Sequence, residues 1–100
     1  MCKVLLLNID QPNILIDAIH EAFPNIAVSS IQSVRHAKEL LCFDHYDLLI
    51  SNDELIDGYG IVFGLWLRAR TEYSNTPFII LTEQNSKTMI LTNKIKRNLS

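Results

Sequence analysis

Short apolar runs alternate strictly with amphipathic stretches along this chain, and that order limits what it can fold into more than any single residue does. Residues 3–8 (KVLLLN) form a brief leucine-rich run of the kind that becomes a buried strand. Asp10 or Gln11 then stands where a helix cap belongs, with Pro12 in the first turn. Leu15, Ile16, Ala18, Ile19, Ala22 and Phe23 recur at helical spacing, and Pro24 ends the stretch. Residues 26–31 (IAVSSI) read as a second, more polar strand at a sheet edge, and Ser33 as the cap of a second helix. That helix carries Val34, Ala37, Leu40 and Leu41 on its apolar side. Residues 46–51 (YDLLIS) make a third strand, followed by a turn-rich passage with Asp57-Gly58 and Gly60. Residues 61–70 form a third helix, broken at Asn75-Thr76-Pro77, and residues 78–82 (FIILT) a fourth strand. Ser86 caps a last helix that carries Met89, Ile90, Ile95 and Leu99.

The order is βαβαβαβα, which means an α/β fold with a parallel sheet and right-handed crossovers. Such sheets place their functional groups in the loops beyond the carboxyl ends of the strands. Those loops begin here at Ile9, Asp10 and Gln11, at Gln32, at Asn52, Asp53 and Glu54, and at Thr82 and Glu83.

Composition narrows the class further. One hundred residues, 48% apolar and 20% charged, make a single globular domain over residues 1–100, too apolar and too weakly charged for disorder. The longest unbroken apolar run is four residues, as in residues 4–7, against about 20 for a membrane-spanning helix. Two cysteines do not make a disulfide framework, and no secretory leader is visible, so the expected setting is the cytoplasm. The net charge of −2 speaks against nucleic-acid binding by the whole surface. The charge is nonetheless uneven: residues 84–100 hold Lys87, Lys94, Lys96 and Arg97 and no acid. A solvated helix face is the simpler account of that tail, and an acidic or nucleic-acid partner the sharper one.

Most signatures of chemistry are missing. Gly58, Gly60 and Gly64 do not follow a strand in phosphate-binding spacing. No serine sits in a nucleophile elbow. His20, His36 and His45 lack metal-ligand spacing with each other or with a cysteine, and structural roles are expected for all three. Cys42 reads as a small buried hydrophobe and Trp66 as a core anchor. No cofactor, metal site or enzymatic activity is expected.

Four motifs in order carry a resemblance to the receiver domain of two-component response regulators. Ile9-Asp10-Gln11-Pro12-Asn13-Ile14-Leu15 is similar to that family's acidic cluster and helix start, Asp-Asp-Glu-Pro-x-x-Leu. Tyr46-Asp47-Leu48-Leu49-Ile50-Ser51-Asn52 is similar to its third strand, which ends at the phosphorylated aspartate. Asp57-Gly58-Tyr59-Gly60 resembles the loop that usually reads Pro-Asp-x-Asp-Gly, and Thr76-Pro77-Phe78-Ile79-Ile80-Leu81-Thr82 its fourth strand and switch threonine. Gly60 lies eight residues and Thr82 thirty residues after Asn52, spacings that fit the family without gaps over residues 3–92. The resemblance implies a flavodoxin-like three-layer α/β/α fold, with strand order 2-1-3-4 and the family's fifth strand and helix missing.

The family's chemistry does not carry over with its fold. Phosphoryl transfer needs a carboxylate nucleophile, and the matching position is Asn52, whose amide is a poor one. It also needs a divalent cation held by clustered carboxylates. In the preferred register Ile9 replaces the first metal-site acid and Asp10 keeps the second; sliding by one puts Asn8 and Ile9 there and loses both. Asp10 is therefore a weak metal candidate at most. Thr82 is retained, but its hydroxyl has no phosphoryl group to meet. Asp53 and Glu54 flank the vacant site and read as solvated loop carboxylates, although a strand bulge would bring Asp53 into the nucleophile's place.

The missing fifth unit has a structural consequence. The sheet face under the third and fourth strands, with the outward side chains of residues 48–51 and 78–81, is expected to meet water. The fourth strand becomes an exposed apolar edge. Three remedies are open: a longer parent chain, a homodimer or domain swap, or movement of the last helix onto the open face. Phe78, Ile80, Met89, Ile90 and Ile95 are the residues expected to serve such an interface. The functional expectation is a pseudo-receiver that signals through a protein partner or its own second copy, with no membrane contact. A receiver phosphorylated on Asp53 and a small dimeric regulatory or nucleic-acid-binding protein using the basic tail are the alternatives.

Overall fold

The computed structural model describes residues 2–81, 95, 97 and 98. Thr82, Met89, Ile90, Leu99 and the cap expected at Ser86 lie outside the described residues. The main elements are strands β1 (Lys3–Leu7), β2 (Ala27–Ile31) and β3 (Leu48–Asn52), interleaved with helices α1 (Pro12–Ala22) and α2 (Val34–Phe43). A two-stranded hairpin, β4 (Glu54–Leu55) and β5 (Gly58–Tyr59), leads into α3 (Gly60–Ala69). A short 3-10 turn (Thr71–Tyr73) then precedes β6 (Phe78–Leu81). The main sheet has the order β2-β1-β3-β6 and is parallel throughout, as the alternation of elements requires. Its most polar strand, β2, lies at an edge, as expected from the sequence. Among the described residues, the turn-rich passage after β3 departs from the expected topology, because it pairs with itself as the antiparallel hairpin β4–β5.

Alternation along the strands sorts the core into two layers. Leu5, Leu7 and Leu49 face α2 and α3, where they pack with Ala37, Leu41, Phe63, Leu67 and Tyr73. Val4, Leu6, Leu48 and Ile50 face α1 and pack with Leu15 and Ile19. The expected bare face beneath β3 and β6 is not bare. Leu48 and Ile50 are fully buried, Ile79 is 9% exposed, and Ile95 joins them at 0%. Ile95 is helical and packs on the α1 face, and helical Arg97 and Asn98 near it are exposed. Of the three remedies, coverage by the chain's own C-terminal part is seen at Ile95.

Local expectations fare unevenly. Ser33 caps α2, accepting a hydrogen bond from the His36 amide at 3.1 Å. Neither Asp10 nor Gln11 caps α1 through a side chain: Gln11 sits at the cap position with φ 49°, and Pro12 starts the helix without a donor to satisfy. Cys42 is exposed rather than buried, because its place on α2 lies one residue beyond the buried Leu41. Trp66 is half-buried at the edge of the α2–α3 layer. Its ring stacks on Phe63 and carries the Lys38 ammonium at 5.0 Å and the Arg70 guanidinium at 5.1 Å. Phe78, expected at an interface, packs under α3 with its ring edge-on to Phe63. Among the described residues no helix is long and apolar enough to cross a membrane.

Candidate functional site

The carboxyl ends of β1 and β3 lie side by side, since Leu7 pairs with Ser51. One residue further along each strand stands an asparagine, and both amides are spent on backbone. Asn52, half-buried, accepts a hydrogen bond from the Asp53 amide onto its own Oδ1 at 2.8 Å. Asn8 takes a left-handed conformation, φ 51°, which asparagine tolerates better than most residues. Its backbone N–H donates to Ile31 O at 2.7 Å, and its Nδ2 donates to Glu54 O at 3.0 Å. Asn8 thus ties the ends of β1, β2 and the loop after β3 together.

Below the asparagines the packing is tight. The fully buried Ser51 donates its hydroxyl to Asn52 O at 2.8 Å. Gly60 N donates to Asp53 O at 2.8 Å, bringing the start of α3 against the end of β3. A Cβ at Gly60 would lie 2.7 Å from Asn52 O and 3.2 Å from Ser51 Oγ, so only glycine fits the approach.

The hairpin is pinned on its other side by a carboxylate. Asp57 accepts from Val34 N at 2.7 Å and from Arg35 N at 3.1 Å, so one side chain satisfies two free amides at the start of α2. These bonds, Val34 first, hold the Asp57 carboxyl below its ordinary range. The sequence showed Asp57 as a turn residue and as part of the Asp57-Gly58-Tyr59-Gly60 motif, not as a helix cap. Its partner amides lie more than twenty positions away, and topology alone brings them together.

The expected site residues do not all converge. Ile9 is half-buried and packs against the α1-side core, so its side chain leaves the loop cluster. Asp10 is exposed in the β1–α1 connection. Asp53 and Glu54 are also exposed. β3 pairs with β6 in unbroken register through Asn52 and Leu81, which leaves Asn52 as the terminal strand residue and Asp53 beyond it. The side chains following β1 and ending β3 are therefore two amides, an isoleucine and the single exposed carboxylate of Asp10. That donor set does not fit a hard divalent cation, which wants clustered carboxylate oxygens. Among the described residues there is no group of three or more histidines, cysteines, aspartates or glutamates able to hold a metal.

No protein-family model and no curated protein sequence matches the chain. Solved structures do match it. The chemotaxis response regulator CheY4 of Vibrio cholerae is 18% identical, with a TM-score of 0.81 over 99% of each chain. The receiver domain of a histidine kinase from Syntrophus aciditrophicus is also 18% identical, with a TM-score of 0.78 over 99% of this chain and 90% of that one. The complex of histidine kinase ThkA with response regulator TrrA matches at 13% identity and a TM-score of 0.65, over the full length of both matched chains. With its β2-β1-β3-β6 sheet and flanking helices, the chain has the receiver-domain fold.

Proposed function

We propose that this chain is a pseudo-receiver, a signalling module that works through protein contacts without aspartyl phosphorylation or enzymatic activity. The observation that carries the reading is Asn52, the terminal residue of β3, with its amide oxygen held by the Asp53 N–H. An amide in this place offers no carboxylate oxygen for phosphoryl transfer. The unbroken β3–β6 register supports Asn52, rather than Asp53, as the residue in the acceptor position. The hydrogen bonds from Asn8 and to Asp57 support a loop cluster held in one arrangement, the opposite of a switch that waits for a phosphoryl group. The partner is a protein, in keeping with the similar structure in which a response regulator is bound to a histidine kinase.

Incubation with a small phosphodonor and magnesium, followed by intact mass, tests this. The expected result is an unchanged mass, and Asn52→Asp tests whether the amide alone is the obstacle. A phosphate on the unaltered chain, mapped to residues 50–54, overturns the reading, and its location on Asp53 would establish a live receiver instead.

A further inference from the structure

Helix α3, GIVFGLWLRA, is apolar on nearly every side, and only one side is used by the fold. Gly60, Phe63 and Leu67 are buried against the sheet, and Gly64 lies so close to the Phe78 ring that a Cβ would stand 2.8 Å from it. On the opposite side Ile61 is 63%, Val62 58% and Leu65 70% exposed, and Ala69 is exposed with them. At 3.6 residues per turn these four side chains share a wedge roughly 100° wide. That is the width of the apolar stripe a helix normally turns toward a core. No charged residue interrupts it. The hairpin that leads into the helix also exposes Ile56 and Tyr59, each by more than half.

The surroundings of the stripe are charged unequally. Exposed Asp53 and Glu54 stand at the start of α3, and exposed Arg68, its guanidinium donating only to the neutral carbonyls of Tyr73 and Thr76, stands in its last turn, while Arg70 beyond it is paired with Glu72. A two-fold axis across the stripe would run two such helices antiparallel. The acidic start of each would then meet the basic end of the other, and opposite helix-dipole ends would meet as well. Six exposed apolar side chains amount to on the order of 400–600 Å² per copy, the upper end of what a typical monomer exposes in its largest, often functional, patch. Doubled, about 1,000 Å² reaches the lower limit of specific association.

We propose that the outer face of α3 is the contact surface between two copies of this chain, paired antiparallel about a two-fold axis in a reversible dimer. The surface is distinct from the β6 edge and from the face covered by Ile95. It does not depend on the state of Asn52.

Sedimentation of the full chain between 5 and 500 µM (chosen to bracket an interface of about 1,000 Å²) tests the proposal. The expected mass rises from 11.4 kDa toward twice that value. Leu65→Glu should move the midpoint at least tenfold higher in concentration, with circular dichroism and melting at 5 µM unchanged because Leu65 makes little contact within the monomer. Val62→Glu should act in the same way. Phe43→Glu, which alters the most exposed apolar side chain at 89% but lies at the end of α2, should leave the midpoint in place. A chain that stays monomeric throughout the range overturns the proposal and leaves the stripe to a different protein. A dimer indifferent to both Leu65→Glu and Val62→Glu overturns it equally.

Discussion

At the scale of single residues, the end of β3 is built from side chains with no room or freedom to spare. Gly60 is the clearest case, because any Cβ there would press on the Asn52 carbonyl, a backbone atom that cannot swing away. Gly60→Ala should destabilise the chain by about 1–3 kcal/mol, read as a lower urea midpoint with the slope unchanged. Asn8 separates two causes. Its left-handed backbone costs a β-carbon residue about 1–2 kcal/mol, while its side chain holds Glu54 O. Asn8→Gly removes the side-chain bond but relieves the left-handed backbone, whereas Asn8→Ala removes the bond and keeps a Cβ in that conformation. Urea denaturation should therefore rank glycine above alanine at this position. Equal losses would mean that the backbone conformation carries no strain. The two asparagines were visible in the sequence, but their use was not. Which backbone group a side-chain amide meets depends on strands that are distant along the chain.

At the scale of elements, α2 and the β4–β5 hairpin act as one unit through Asp57. Ser33 accepts one amide at the start of α2, and the hairpin carboxylate accepts two more. The pKa of Asp57 is depressed in the folded state by the Val34 and Arg35 amides. Its contribution to stability is thus complete above the ordinary carboxylate range and is lost as pH falls through the depressed value. Asp57→Asn should lower the melting temperature at pH 7, and the gap between variant and parent should close on acidification. A gap that stays constant from pH 7 to pH 3 would show that the carboxylate charge does not hold the helix. The Ser33 cap was legible because a cap acts within one turn of its helix. The Asp57 cap was not, because it joins elements whose nearness is a property of the sheet order.

At the scale of the whole molecule, the question set by four strands in the main sheet is what covers the α1 face under β3 and β6. Ile95 answers it among the described residues, buried in one cluster with Leu48, Ile50 and Ile79. Ile95→Ala should cost about 2–5 kcal/mol, measured by urea denaturation of the full chain. A loss below 0.5 kcal/mol, within the range of ordinary surface substitutions of about ±0.5 kcal/mol, would mean that the face is covered without it. Exposed apolar area is found instead on α3, away from the face that the sequence pointed to. Helical periodicity shows that α3 is apolar all round, but not which side the sheet takes. The packing of Phe63, Leu67 and Gly64 on the sheet side decides that, and so decides that Ile61, Val62 and Leu65 are left outside.

What the sequence determined by itself is the alternation of main-sheet strands and helices through β6, the parallel sheet, the polar edge strand and the amide at the end of β3. Each follows from information within a few residues: apolar period, cap and turn chemistry, and residue identity at a strand end. Tertiary structure alone decided the rest. It placed Asn8 over the β3 loop, Asp57 on the start of α2, Ile9 in the core and Ile95 on the open face. The reason is that a side chain's partner is chosen by whichever backbone or core surface the completed sheet brings within about 3–4 Å, and local sequence carries no record of that distance.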